Sequence, residues 1–231
     1  MSIKVEVGHS TDRIAGGSFE SIKVEKNDDR FITDVNAKLD SGIFERKNYA
    51  GTFLNYQYNT LDNALFPRKG IKFIAGVNYI RNVEDDKNFI RLNYESSVFF
   101  SVGKWTAAIR SGMATNLNDE YEFYQANTLG GSENLRGFRR DRFAGKTSAY
   151  TNTELRYKIN RYNGYIFRGD YGLLSFIDYG RVWIPGEKSN TWHQGYGGGL
   201  WIFIYNRIPI TATYGVSKED KILTIKAGFL F

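Results

Sequence analysis

Glu154, in NTELRY, and Asp178, in FIDYG, are two carboxylates set inside sequence that otherwise favours buried or lipid-facing strands. A pair of carboxylates is the minimum equipment of a glycoside hydrolase, provided the two are poised about a substrate. Nothing else in the chain accompanies them in that role. There is no G-x-S-x-G elbow, no glycine loop opening a helix to hold phosphate, and no pair of histidines at metal spacing. His9 and His193 stand far apart and alone, and the absence of cysteine removes thiolate metal sites and disulfides together. The chain therefore reads as neither an enzyme nor a cofactor carrier.

The elements that hold these residues are strands. The last eleven residues, KILTIKAGFLF, place Leu223, Ile225, Ala227, Phe229 and Phe231 on one face and Thr224, Lys226 and Gly228 on the other, with Ile222 and Leu230. The same two-residue period recurs over 49–59, 71–81, 88–100, 104–115, 147–159, 170–183, 194–204 and 207–217, and more faintly over 2–8, 18–26 and 30–40. About twelve strands result. Many run ten to thirteen residues, longer than a soluble strand of about five or six and close to the nine to eleven of a tilted membrane strand. Charges fall in mid-strand on the polar face, as in Arg91 and Glu95 opposite Ile90, Leu92 and Tyr94. On a membrane barrel that face is a wet lumen and the apolar face meets lipid.

Composition agrees. Aromatics make up 16% of the 231 residues, with 24 glycines and 3 prolines, and the longest apolar run, Leu200 to Tyr205, is far too short for a membrane helix of about 20 residues. The net charge of +6 is spread among acidic neighbours in EDDK, KNDDR and KEDK, which suits solvated strand ends rather than nucleic acid. No linker divides residues 1–231, so one barrel domain is expected. Met1 is followed by SIKVEVGHS, which lacks signal-peptide form. An exported barrel starting this way is expected to be a mature, truncated or partial chain.

One connection stands out. Residues 116–146 read as mostly irregular, yet Tyr121, Phe123, Tyr124, Leu129, Leu135, Phe138 and Phe143 give the segment much surface to bury. Loops of that length are uncommon unless functional or disordered, and this one is not disordered in composition. It is expected to fold back on something.

Its sequence FYQANTLGGSENLRGF resembles the lumen loop of the BamA/TamA family of outer-membrane assembly barrels, where paired glycines precede an arginine-glycine-aromatic turn. Three further segments resemble the family in the same order: NTLDNALFPRKG at 59–70, FIDYGRVW at 176–183, and the closing G-x-x-aromatic of Gly228 to Phe231. The resemblance implies that the loop enters the lumen and that Arg136 pairs with wall carboxylates, for which Glu154 and Asp178 are the candidates. Glu154 shares a face with Asn152 and Arg156, away from Thr153, Leu155, Tyr157 and Ile159, and the family pattern turns Phe176, Asp178 and Gly180 inward. Arginine suits the task because its planar fork bonds two carboxylates and stays charged when desolvated. Gly137 would supply a backbone angle closed to other residues, Phe138 would wedge the turn, and Gly180 would leave room for the loop. Lys226, Gly228 and Phe231 correspond to the terminal strand signal.

The resemblance further implies an integral protein of the bacterial outer membrane that inserts or translocates β-rich polypeptides without covalent chemistry. Its partners would be outer-membrane lipid, unfolded barrel clients and periplasmic accessory domains. Family barrels have about sixteen strands, so this chain reads as the C-terminal portion of one or as a reduced barrel of twelve. A barrel anchoring an upstream patatin-like lipase or metallophosphoesterase domain is the alternative function.

Overall fold

The computed structural model describes residues 10–25, 44–119, 121–164, 168–188 and 190–231. One antiparallel sheet takes the strands in the order β1 (Ser10–Lys23), β2 (Arg46–Asn59), β3 (Gly70–Asn82), β4 (Asn88–Val102), β5 (Trp105–Asn116), then β8 (Thr147–Asn163), β9 (Arg168–Trp183), β10 (His193–Ile204), β11 (Ile208–Val216) and β12 (Lys221–Ala227). The remaining two, β6 (Asn127–Leu129) and β7 (Phe143–Gly145), pair with each other inside the long loop. Twelve strands are thus described, but ten make the wall. The expected strands at 2–8 and 30–40 lie outside the described residues. The faint signal at 18–26 belongs to β1, which begins eight residues earlier; Gly16 and Gly17 interrupt the alternation and hide that start.

Burial in the wall is inverted relative to a soluble sheet. Leu54, Val98, Ile109, Leu155, Leu173 and Leu200 are exposed, whereas Ser97, Arg110, Asn152, Glu154, Arg156 and Asp178 are buried. Apolar residues outside and ions inside are stable only where lipid surrounds the wall, since in water the same arrangement would forgo the hydrophobic driving force. The sheet curls far enough for β4 and β5 to meet the end of the chain: Phe99 meets Phe231 edge-on at 6.0 Å, and Arg110 Nη1 donates to the Leu230 carbonyl at 2.9 Å. Among the described residues β1 and β12 do not pair, so the sheet is curled but not closed.

The chain terminus differs from its reading in sequence. Alternation carried through residue 231 puts Phe229 and Phe231 on the lipid face with Leu223 and Ile225. In the structure β12 stops at Ala227, Gly228 adopts φ +126°, and the chain turns inward. Leu223 and Ile225 remain exposed, but Phe229 is buried against Phe66, Leu174, Phe176, Trp201 and Phe203. A positive φ reverses the parity of the residues after it, and only glycine reaches that angle at little cost. The turn is fastened by the Gly228 amide donating to the Pro209 carbonyl at 2.8 Å and by Thr211 Oγ1 donating to the Gly228 carbonyl at 2.9 Å.

Phe66 reaches this cluster from the β2–β3 connection. Asn63 Oδ1 accepts from the Leu65 and Phe66 amides, and Asp62 Oδ1 accepts from those of Arg68 and Lys69. Side chains that satisfy the turn's own amides let it hold shape without a strand partner. Its ring lies 4.9 Å from Trp201 and 5.1 Å from Phe229, so aromatic packing joins the turn to the far side of the sheet.

Candidate functional site

The loop between β5 and β8 folds on itself before it touches the wall. Pairing of β6 with β7 closes its base, and a bridge between Gly131 and Leu135 closes its tip. Asn134 sets the tip by accepting from the Gly130 amide at 2.8 Å and donating to the Thr128 carbonyl at 3.2 Å. Leu129, Leu135 and Phe138 form a buried cluster with Phe143, Tyr150 and Val182 packed around it. This apolar patch orients the tip, and the tip carries Arg136.

Arg136 lies between two carboxylates of the inner wall. Its Nε and Nη2 donate to Asp178 Oδ2 and Oδ1, both at 2.8 Å, and its own amide donates to Oδ2 at 3.0 Å. Nη1 donates to Glu154 Oε2 at 2.6 Å. The guanidinium also lies over the Phe176 ring at 3.6 Å. Burial alone would lower the Arg136 pKa, but hydrogen bonds and charge from Asp178 and Glu154 outweigh it and raise the pKa above its ordinary range. The group is permanently cationic.

Gly137 sits beyond it at φ +88°, and a Cβ there would stand 2.9 Å from the Val216 backbone. Phe138 is buried between the loop cluster and the rings of Phe143 and His193. Opposite, Gly180 gives the space that Leu129 and Leu135 occupy: a Cβ would meet Leu129 at 3.0 Å. Lys226 lines one cavity with Arg136 and Glu154 and reaches Glu133 of the loop at 3.2 Å, and Phe231 lies beside Phe99 and Arg110. So Arg136, Gly137, Phe138, Glu154, Asp178 and Gly180 gather at one place, while Lys226, Gly228 and Phe231 belong to the terminal strand and its turn. His193 stacks on Phe143 at 3.6 Å, and His9 lies outside the described residues.

Several participants escaped the sequence reading. Gly195 is the tightest: a Cβ would stand 1.8 Å from the Arg136 carbonyl, so β10 must be bare there. Arg156 donates through Nε to Glu154 Oε1 at 2.6 Å, taking the oxygen that Arg136 leaves. A second tether holds the loop's first arm to the other side of the sheet, through Lys47 to Glu122 at 2.6 Å, Tyr49 to Tyr124 at 2.6 Å, and Arg91 to Asn116 at 3.1 Å and to the Gln125 carbonyl. Arg91 and Arg156 were legible as inward charges in mid-strand. Their partners were not, because alternation specifies a face and not a neighbour across the lumen.

Comparison with known proteins decides the family. The Omp85 superfamily domain matches residues 1–231. The chain belongs to the Omp85 superfamily. Its fold is similar to the crystal structure of BamA from Haemophilus ducreyi lacking POTRA domains 1–3, with a TM-score of 0.61 and 18% identity over 95% of this chain and 50% of that one. The chain therefore spans half the length of that BamA chain. No curated protein matches the sequence. Omp85 membership and inverted burial together make this an integral outer-membrane β-barrel protein.

Proposed function

We propose that this Omp85 barrel inserts or translocates other polypeptides at the outer membrane, through noncovalent contacts made by its terminal strand and lumen loop. The observation that carries this reading is the separation of two tasks. The loop is fastened to β8 and β9 through Arg136, Glu154 and Asp178, whereas β12 is seven residues long, pairs only with β11 among the described residues, and ends at the Gly228 turn. An edge of unpaired amides and carbonyls is a template for an incoming strand. The loop's buried ions lie on β8 and β9 and it meets β12 and the β11–β12 turn only through the more exposed pairs Lys226–Glu133, Arg139–Asp220 and Arg142–Glu219, so that edge can be used while the lumen stays packed. Clients would be unfolded β-barrel polypeptides, with periplasmic domains delivering them.

The test is reconstitution in liposomes with a urea-unfolded barrel client whose folding is followed by heat-modifiable migration. Faster client folding than in empty liposomes is expected, together with cross-links from a cysteine at Thr224 to the client. Equal folding rates with and without the protein would count against the proposal.

A further inference from the structure

Glu154 is shared. Oε2 accepts from Arg136 of the loop and Oε1 from Arg156, two residues further along β8, each at 2.6 Å, and all three side chains are almost fully buried. Arg156 in turn lies over the ring of Phe229 at 3.9 Å and directs Nη1 toward the Pro67 carbonyl at 3.4 Å. Its Nη2 is buried and has no acceptor among the described residues. One guanidinium thus touches the loop's counter-ion, the β2–β3 turn and the inturned end of the chain.

The last three residues have two placements open to them. Tucked, as observed, Phe229 stacks under Arg156 and Arg110 holds the Leu230 carbonyl. Extended, Gly228 and Phe229 would continue past the Ala227–Ile210 pair opposite Pro209 and Ile208, the last residues β11 offers, with Phe229 returned to the lipid face that alternation assigns it. Either placement surrounds the Phe229 ring with apolar groups, so the move forfeits little of its burial from water.

We infer that Arg156 is a positioning residue that transmits the seating of the loop to the end of the terminal strand. While Arg136 holds Oε2, Glu154 binds Arg156 through one oxygen and the guanidinium lies flat on Phe229. Withdrawal of Arg136 frees Oε2 for the unpartnered Nη2. Bidentate pairing through Nε and Nη2 is the geometry guanidinium and carboxylate prefer, and reaching it turns the plane off the ring. Phe229 then loses its cation–π contact and the tail is released to extend. The inference rests on the proposed function for its purpose but not for its test.

The chain has no cysteine, so Leu230→Cys reports the tail alone. Labelling by a polar maleimide is measured on the intact chain folded in lipid bilayers, counting only the heat-modifiable band. Arg136→Gln is expected to speed labelling about tenfold, within the range of ordinary two-site coupling; because Arg136 lies over Phe176 and lines one cavity with Phe229 and Leu230, a second background separates direct exposure of the label from coupling. In an Arg156→Lys background, where no fork can form, Arg136→Gln is expected to leave labelling unchanged. Equal acceleration in both backgrounds, or none with Arg156 present, overturns the inference. If Arg136→Gln yields no folded band, Asp178→Asn replaces it as the disturbance of the loop. Client folding in the same liposomes separates the two readings. Lost client folding with unaltered labelling sinks the coupling and leaves the proposed function standing; coupled labelling in a chain that never speeds client folding does the reverse.

Discussion

The two sides of this sheet are filled very differently. On β8 and β9 the inward residues Asn152, Glu154, Arg156, Leu174, Phe176 and Asp178 are all buried beneath the loop tip and the inturned terminus, while on β2 and β3 inward residues such as Asn55, Gln57, Lys72 and Asn78 are only half-buried. The loop touches both sides, but by different chemistry. Its tip is held by buried ions with every Asp178 and Glu154 oxygen engaged, and its first arm by the half-buried Lys47–Glu122 pair and a tyrosine pair. Local stability follows buried contact density, so the tip should be the last part of the loop to let go and the first arm an early one. The difference teaches that the lumen is organised around one wall, leaving the opposite strands as a looser margin.

The sharpest way to break that contrast is at the tip. Arg136→Ala strands the buried Asp178 without a cationic partner and leaves Glu154 with Arg156 alone, and breaking a buried pair in this way costs about 3–5 kcal/mol. Loss of heat-modifiable migration and of protease resistance in the loop is expected; full retention of both would show that the tip is no firmer than the arm. Adding Asp178→Asn to the alanine variant should recover part of the loss, because the stranded charge goes with the arginine while Glu154 keeps Arg156. Gly195→Ala attacks the same seat from the wall. With a methyl 1.8 Å from the Arg136 carbonyl, the loop must shift, and the variant should show the same protease pattern while keeping every ion.

Phe66→Ala tests whether the looser side depends on the firmer one. The ring comes from the β2–β3 connection but is buried among Trp201, Phe203 and Phe229, so its removal should cost about 3 kcal/mol in denaturant unfolding. An effect below about 1 kcal/mol would show that the cluster collapses onto the gap and that the two sides are independent. Tyr49→Phe removes the 2.6 Å hydroxyl pair with Tyr124 and should cost about 1 kcal/mol or less. Faster amide exchange confined to residues 121–126 is its expected signature; exchange spreading to the tip would erase the contrast between arm and tip.

The same contrast runs through what the sequence could disclose. β2–β5 and β8–β11 were legible because lipid and lumen impose a strict two-residue alternation on long strands, and the inward turn of Glu154 followed from that alone. The meeting of Arg136 with Asp178 was legible only through family resemblance, since nothing in alternation relates positions 42 residues apart. Phe229 was misread for a definite reason: Gly228 sits in phase with the strand, and its positive φ has no signature in the pattern around it. Phe66 was visible as part of a turn but not as core, because its partners lie on strands far along the chain. The pairing of Tyr49 with Tyr124, both neutral and 75 residues apart, left no mark, although the strand of one and the buriable ring of the other did.

The smallest expected effect lies where the loop meets the β11–β12 turn in solvent. Arg139 Nε donates to Asp220 Oδ2 at 3.0 Å and Arg142 Nε to Glu219 Oε2 at 2.6 Å, all partly or largely exposed. The hydrogen bond from Arg139 and the Lys221 amide hold the Asp220 carboxyl below its usual range. A carboxyl depressed in the folded protein stabilises it above its unfolded pKa of about 3.9 and ceases to do so as pH falls through the lower, folded value. Acidification should therefore loosen this clasp only below about pH 4, and salt should weaken it at neutral pH because exposed pairs are screened. Amide exchange at 139–142 measured against pH and salt checks both. If acid or salt freed the tip at Arg136 along with the clasp, the buried ions would not be the firmer hold, and the contrast between the two regions would fail at its strongest point.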